Sequence, residues 1–149
     1  MTIEEIIGLV SGLDGVLTLT PGPGDEWPEL SWGDAFFYYS PDGVVPTNVQ
    51  PFATIVTKNY PGDESSRLDR PDTFRVNIHA GKKEFNRQLG QDPSATDTLI
   101  AHPVYGSAGW LAVVNPASNT EMATRELLET AYRLARARYE RRADSSRGR

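Results

Sequence analysis

The sequence predicts an α+β fold: a mainly antiparallel sheet of five or six strands, with the N- and C-terminal helices packed together on one face. Three observations predict it. Residues 110–114 are apolar without alternation, as in a strand covered on both faces, which places that strand centrally. Asn115-Pro116 stops the strand, since proline removes a ladder donor and biases its predecessor away from the helical region. The remaining two are an amphipathic helical segment at each end of the chain and a strict period-2 alternation at residues 73–79.

The first helix is expected from Thr2 to about Leu13, with a Thr2/Glu5 capping box and Ile3, Ile6, Ile7 and Val10 on one face. Gly12 and Asp14-Gly15 end it, and residues 16–20 follow as a strand. Residues 21–34, rich in proline, glycine and acids, form a loop that carries two tryptophans, Trp27 and Trp32, as a lid over a ligand or a plug over the core edge. Aromatic density makes residues 35–39 a strand, and Ser40-Pro41-Asp42-Gly43 turns it into a hairpin returning through Val44 and Val45. Residues 52–58 are a β-branched strand, and residues 63–72 a polar loop.

In the alternating strand, Phe74, Val76 and Ile78 face the core, while Arg75, Asn77 and His79 line the opposite face. A short helix is expected over residues 82–89, burying Phe85 and Leu89, and an extended segment over residues 98–102. The long C-terminal helix begins at Ser118, which pairs with Glu121 in a capping box, and buries Leu127, Leu128, Ala131, Leu134 and Ala135. Residues 1–142 read as one α+β domain and residues 143–149 as a flexible polar tail.

Absence of cysteine excludes disulfides, thiolate metal sites and a cysteine nucleophile. The N-terminal residues carry acids where a secretory signal needs a basic region, and no apolar run reaches the roughly 20 residues of a membrane span, so the expected location is cytoplasmic. The net charge of -5 divides unevenly: residues 1–124 hold seven Lys plus Arg against sixteen acids (-9), and residues 125–149 eight Arg against four acids (+4). Such an acidic body repels a phosphate backbone and disfavours a nucleic-acid partner, unless the last helix acts alone.

Candidate chemistry is concentrated on the polar side of the sheet. Arg75 and Lys58, on adjacent predicted strands, are placed to hold an anionic group in one cleft, with Arg67, Asp69, Arg70 and Asp72 either above it or forming a solvated ion-pair network. His79 and His102 converge as an acid-base pair if their strands are neighbours. No H-E-x-x-H spacing or dinucleotide loop is present, so neither a metal nor a cofactor is expected. The carboxylate pairs Asp25/Glu26 and Asp63/Glu64 lie on polar loops, where solvation should leave them with ordinary pKa values.

The segments PFATIVTKNYP, SRLDRPDTFRVNIHAGKKEF, HPVYGSAGWLAVVNP and ELLETAYRLA together resemble a family of small bacterial proteins of unknown function, over residues 36–137. The strand, Asn-Pro break and helix with Ala-Tyr-x-Leu-Ala are also similar, more loosely, to the MmcQ/YjbR-like fold. The first resemblance implies a fold and no activity. The second implies DNA binding, which the acidic body opposes.

Three functional readings follow. The leading one is a small-molecule binding module for a polar or anionic ligand, held by Lys58, Arg75, Asn77, His79 and His102 under the Trp27/Trp32 loop. The others are a nucleic-acid or protein interaction domain using the Arg-rich C-terminal helix, and an enzyme using His79 and His102.

Overall fold

Described over residues 1–147 in a computed structural model, the chain folds into one six-stranded antiparallel sheet flanked by two helices. Helix α1 (Ile3–Ser11) leads into β1 (Val16–Leu19), β2 (Ala35–Tyr39), β3 (Ala53–Val56), β4 (Arg75–His79), β5 (Leu99–Ala101) and β6 (Trp110–Val114), and α2 (Glu121–Arg147) closes the chain. The strand order is β1-β2-β3-β4-β6-β5, with every pairing antiparallel. The α+β reading therefore holds, with six strands.

Both helices cover one sheet face. Ile6 and Val10 of α1 and Leu127, Leu128 and Ala131 of α2 join Phe37, Ile55, Val76, Ile78, Leu111 and Val113 in a single buried cluster. Each fully buried aliphatic side chain contributes about 1.5–3 kcal/mol relative to exposure, so this face holds the bulk of the hydrophobic free energy. Two long-range polar contacts fix the helices: the N-terminal ammonium donates to Pro116 O at 2.7 Å, and Tyr132 Oη to Asp14 O at 2.6 Å.

Several local expectations fail for tertiary reasons. Strand β6 is interior and buried throughout, but it stands one strand in from the edge because β5 pairs outside it. Val44 and Val45 are exposed and form no strand, since β1 and β3 already occupy both edges of β2. The helix expected over residues 82–89 contracts to a 3-10 turn, Lys82–Asn86, as Arg87 N closes onto Glu84 O and Gly90 is drawn into a bridge with Ile100.

The start of α2 is capped from a distance. Thr2 Oγ1 accepts from Glu5 N as expected at α1. At α2, however, the Asp97 carboxylate accepts the backbone N–H groups of Ala117, Asn119 and Thr120 and the Thr120 hydroxyl, in place of the Ser118/Glu121 box. The far end of α2 continues past Arg142 to Arg147, because neither glycine nor proline interrupts residues 121–147. Residues 148 and 149 of the expected polar tail lie outside the described residues.

Asn115 does more than precede a proline. It adopts a left-handed conformation (φ 46°), and its side chain accepts from Phe74 N and donates to Asp72 O, tying the end of β6 to the start of β4. At the opposite end, Gly109 (φ 94°) approaches Gly81 so closely that an added Cβ would stand 3.2 Å from the Gly81 Cα. These two junctions hold β4 and β6 in register, with Arg75 opposite Val114, Asn77 opposite Ala112 and His79 opposite Trp110.

Candidate functional site

The sheet face away from the helices is polar at its centre. Alternation along β4 sends Arg75 and Asn77 to this face and Val76 and Ile78 to the core, as the sequence pattern requires. The polar residues are nonetheless buried: Arg75 is 1% exposed and is among the largest fully enclosed side chains. A guanidinium in such a place must be paired and hydrogen-bonded.

Its partners come from three parts of the chain. Nη1 and Nη2 fork onto Asp63 at 3.0 and 2.5 Å, Nη1 also donates to Ser66 Oγ at 3.0 Å, and Nε donates to Asn77 Oδ1 at 2.7 Å. Asn77 Nδ2 passes the network on to Thr54 Oγ1 of β3 at 3.0 Å. The last N–H of the guanidinium is directed at His102 Nε2, 3.1 Å away. Arg75 thus has no donor facing open space, since a guanidinium carries only five N–H groups.

His102 lies where β5 gives way to a 3-10 turn, Gly106–Ala108, and the chain folds back so that Val104 N and Tyr105 N both donate to its Nδ1, at 3.0 and 3.1 Å. With Arg75 at Nε2, three donors converge on a ring that has one acceptor nitrogen in either neutral tautomer and none when protonated. Burial and then the Arg75 charge act in the same direction, against the opposing charge of Asp63, and lower the His102 pKa to about 4. The imidazole is therefore neutral near pH 7.

Burial by itself raises the Asp63 carboxyl, but the Arg75 hydrogen bond and charge outweigh it and hold the group below the ordinary carboxylate range. The solvated, ordinary-pKa carboxylate expected at Asp63 is thereby corrected: its loop folds down over β4, which no local pattern in residues 63–72 announces. The ion-pair network expected in that loop does not form either. Among the described residues no ion pair joins Arg67, Asp69, Arg70 and Asp72, and Arg70 instead donates to the carbonyl oxygens of Arg67, Ser66 and Ser94.

Above this network lies a cavity of about 640 Å³. It is lined by the polar residues Thr54, Asp63, Arg75, Asn77 and His102 and by the aromatic residues Phe36, Tyr60, Tyr105 and Trp110. Of the residues expected to bind a ligand, Arg75, Asn77 and His102 line it. Lys58, His79, Trp27 and Trp32 do not.

Each absent residue has a physical reason. Lys58 Nζ is held by Asp34 Oδ1 at 2.9 Å and Trp32 O at 2.7 Å, within a cluster in which Asp34 also accepts from Thr57 and the Tyr60 hydroxyl. Burial, and then the bond to Asp34, push the Tyr60 pKa well above its usual value, so the phenol stays protonated as a donor. This cluster ties the loop of residues 21–34 to the exit of β3, leaving Ser31 as that loop's contribution to the cavity. Trp27 stands 43% exposed. His79 stacks on Trp110 with ring centroids 5.0 Å apart and bonds Ala108 O through Nε2. Trp110 lines the cavity, and the two histidines do not meet there as an acid-base pair.

Asp63, Tyr60, Tyr105 and Trp110 were missed as site residues. The aromatic spacing around His102 could have hinted at Tyr105 and Trp110, whereas no local signal marks Tyr60 or Asp63. Among the described residues no group of three or more His, Asp and Glu is placed to hold a metal ion, and no helix is long and apolar enough to cross a membrane.

Fold and site together define a single-sheet α+β protein with one face closed by helices and the other hollowed over a buried ion pair. The chain belongs to a family of unknown function, DUF6194, whose model matches residues 1–144. Neither the curated proteins nor the solved structures give a match to it.

Proposed function

We propose that this protein is a small-molecule binding module whose ligand occupies the cavity over the second sheet face. The observation that carries the reading is a cleft of about 640 Å³ lined by aromatic side chains together with convergent polar groups, the usual composition of a ligand site. The network beneath supports it: Arg75, Asn77 and Thr54 are locked by one another, so these polar groups are organised before any ligand arrives. The resemblance to the MmcQ/YjbR-like fold expected from the sequence has no match among solved structures to support it and carries no part of this reading, and the charge of -9 on residues 1–124 weighs against a nucleic-acid partner.

A thermal-shift screen across neutral, cationic and anionic metabolites tests it. A stabilising compound is expected, and adding it to isotopically labelled protein should move the amide signals of Thr54, Asn77 and Tyr105. A library without a hit, or hits that move signals only elsewhere, would overturn it.

A further inference from the structure

We infer that the ligand is an organic cation, an amine or amidine whose N–H groups bond the free edge of the Asp63 carboxylate while its carbon skeleton lies against the aromatic lining. This rests on the cavity being a binding site, and concerns the sign of charge it accepts.

The two halves of the ion pair are unequally exposed. The Arg75 side chain is 1% exposed and that of Asp63 is 15% exposed. Four of the five guanidinium N–H groups bond Asp63, Ser66 and Asn77, and the fifth faces His102 Nε2, so Arg75 keeps little donor capacity for an anion entering the cavity. A carboxylate, by contrast, offers about four lone-pair positions, of which the Arg75 fork occupies two. The unsaturated member of the pair is the acid.

His102 adds no positive charge to change this balance, because three donors already crowd its ring and keep it neutral. Lys58, the other cation considered for the site, is bound to Asp34 outside the cavity. The aromatic lining reinforces the choice of sign. Phe36, Tyr105 and Trp110 contribute aromatic rings to it, and the faces of such rings attract cations and repel anions, while the Tyr60 ring already carries the Lys58 ammonium over it at 5.9 Å. At longer range, the net -9 of residues 1–124, from which the whole cavity is built, draws cations toward it.

Three probes of similar shape isolate the charge: 2-phenylethylammonium, 2-phenylethanol and 3-phenylpropionate, each titrated at pH 7 into the full chain and followed by the amide signals of Asp63, Asn77 and Tyr105. The ammonium is expected to bind at least tenfold more tightly than the carboxylate, with the alcohol between them. Its affinity should fall as salt rises while that of the alcohol stays level. Asp63→Asn should remove the advantage of the ammonium over the alcohol. If that variant does not fold, the salt dependence in the native protein decides the matter. Equal or tighter binding of 3-phenylpropionate, or a library screen whose cavity hits are all neutral or anionic, would overturn the inference and leave the cavity reading standing. An empty screen would instead remove the cavity reading itself.

Discussion

The two faces of the sheet are made by the same strands and obey opposite rules. On the helix side, Val76, Ile78, Leu111 and Val113 pack against α1 and α2 through non-directional contacts. On the other side, Arg75 and Asn77 are equally buried, but each donor needs a named acceptor at hydrogen-bond distance. The first face tolerates any side chain of suitable shape and volume. On the second, one missing partner strands a charge. For stability alone, an apolar second face of similar volume would often serve as well or better.

The sharpest way to break this contrast is Asp63→Ala, which leaves the Arg75 guanidinium buried without a counter-charge. Urea unfolding should report a loss of about 3–5 kcal/mol, most of it recovered in the double variant Asp63→Ala/Arg75→Met. On the other face, Leu111→Ala should cost a comparable ~2–5 kcal/mol through its cavity, with no polar second-site rescue available. A loss below about 1 kcal/mol for Asp63→Ala would mean that the two faces do not differ in this way.

Acid titration sharpens the same contrast with a slightly smaller effect. Because His102 has its folded pKa lowered from 6.5 to about 4, the unfolded chain binds the extra proton first as pH falls. Stability should therefore drop by about 3 kcal/mol between pH 6.5 and 4 and level off for this group below that window. His79, also lowered by burial, adds in the same direction, so the difference between native protein and His102→Gln isolates the contribution of His102. A pH profile unchanged by His102→Gln would contradict the neutral, donor-crowded ring.

The smallest effect lies away from both faces. Asp97→Ala removes the acceptor of three backbone N–H groups and one hydroxyl at the start of α2, and should cost about 1–2 kcal/mol in the same urea experiment. Ser118→Ala, which deletes the local cap the sequence suggested, should change stability by less than about 0.5 kcal/mol.

Much of the fold was legible because its signals are local. The period-2 pattern of residues 73–79 assigned both faces of β4 correctly, the apolar run of residues 110–114 matched β6 to the residue, and Thr2 caps α1 as expected. Where two distant segments compete or cooperate, the local signal failed. Asp97 displaces Ser118 at α2, and the already paired edges of β2 leave Val44 without a strand. The lining of the candidate site was legible in part for the same reason. Arg75, Asn77 and His102 declared themselves by residue type and face, whereas Asp63 looked like any acid in a polar loop.

What the sequence by itself determined is the set of amphipathic faces, since side-chain direction in a strand or helix follows from backbone period alone. It also determined that a cation would stand on the second face of β4. Only the tertiary structure decided how that cation is answered. Asp63 and Ser66 are brought to Arg75 by a loop with no periodicity, and His102 is turned toward it by the backbone of its own turn, so the sign of charge left facing the cavity depends on contacts between segments. Hydrogen-bond saturation belongs to a set of neighbours, and that set exists only once the chain has folded.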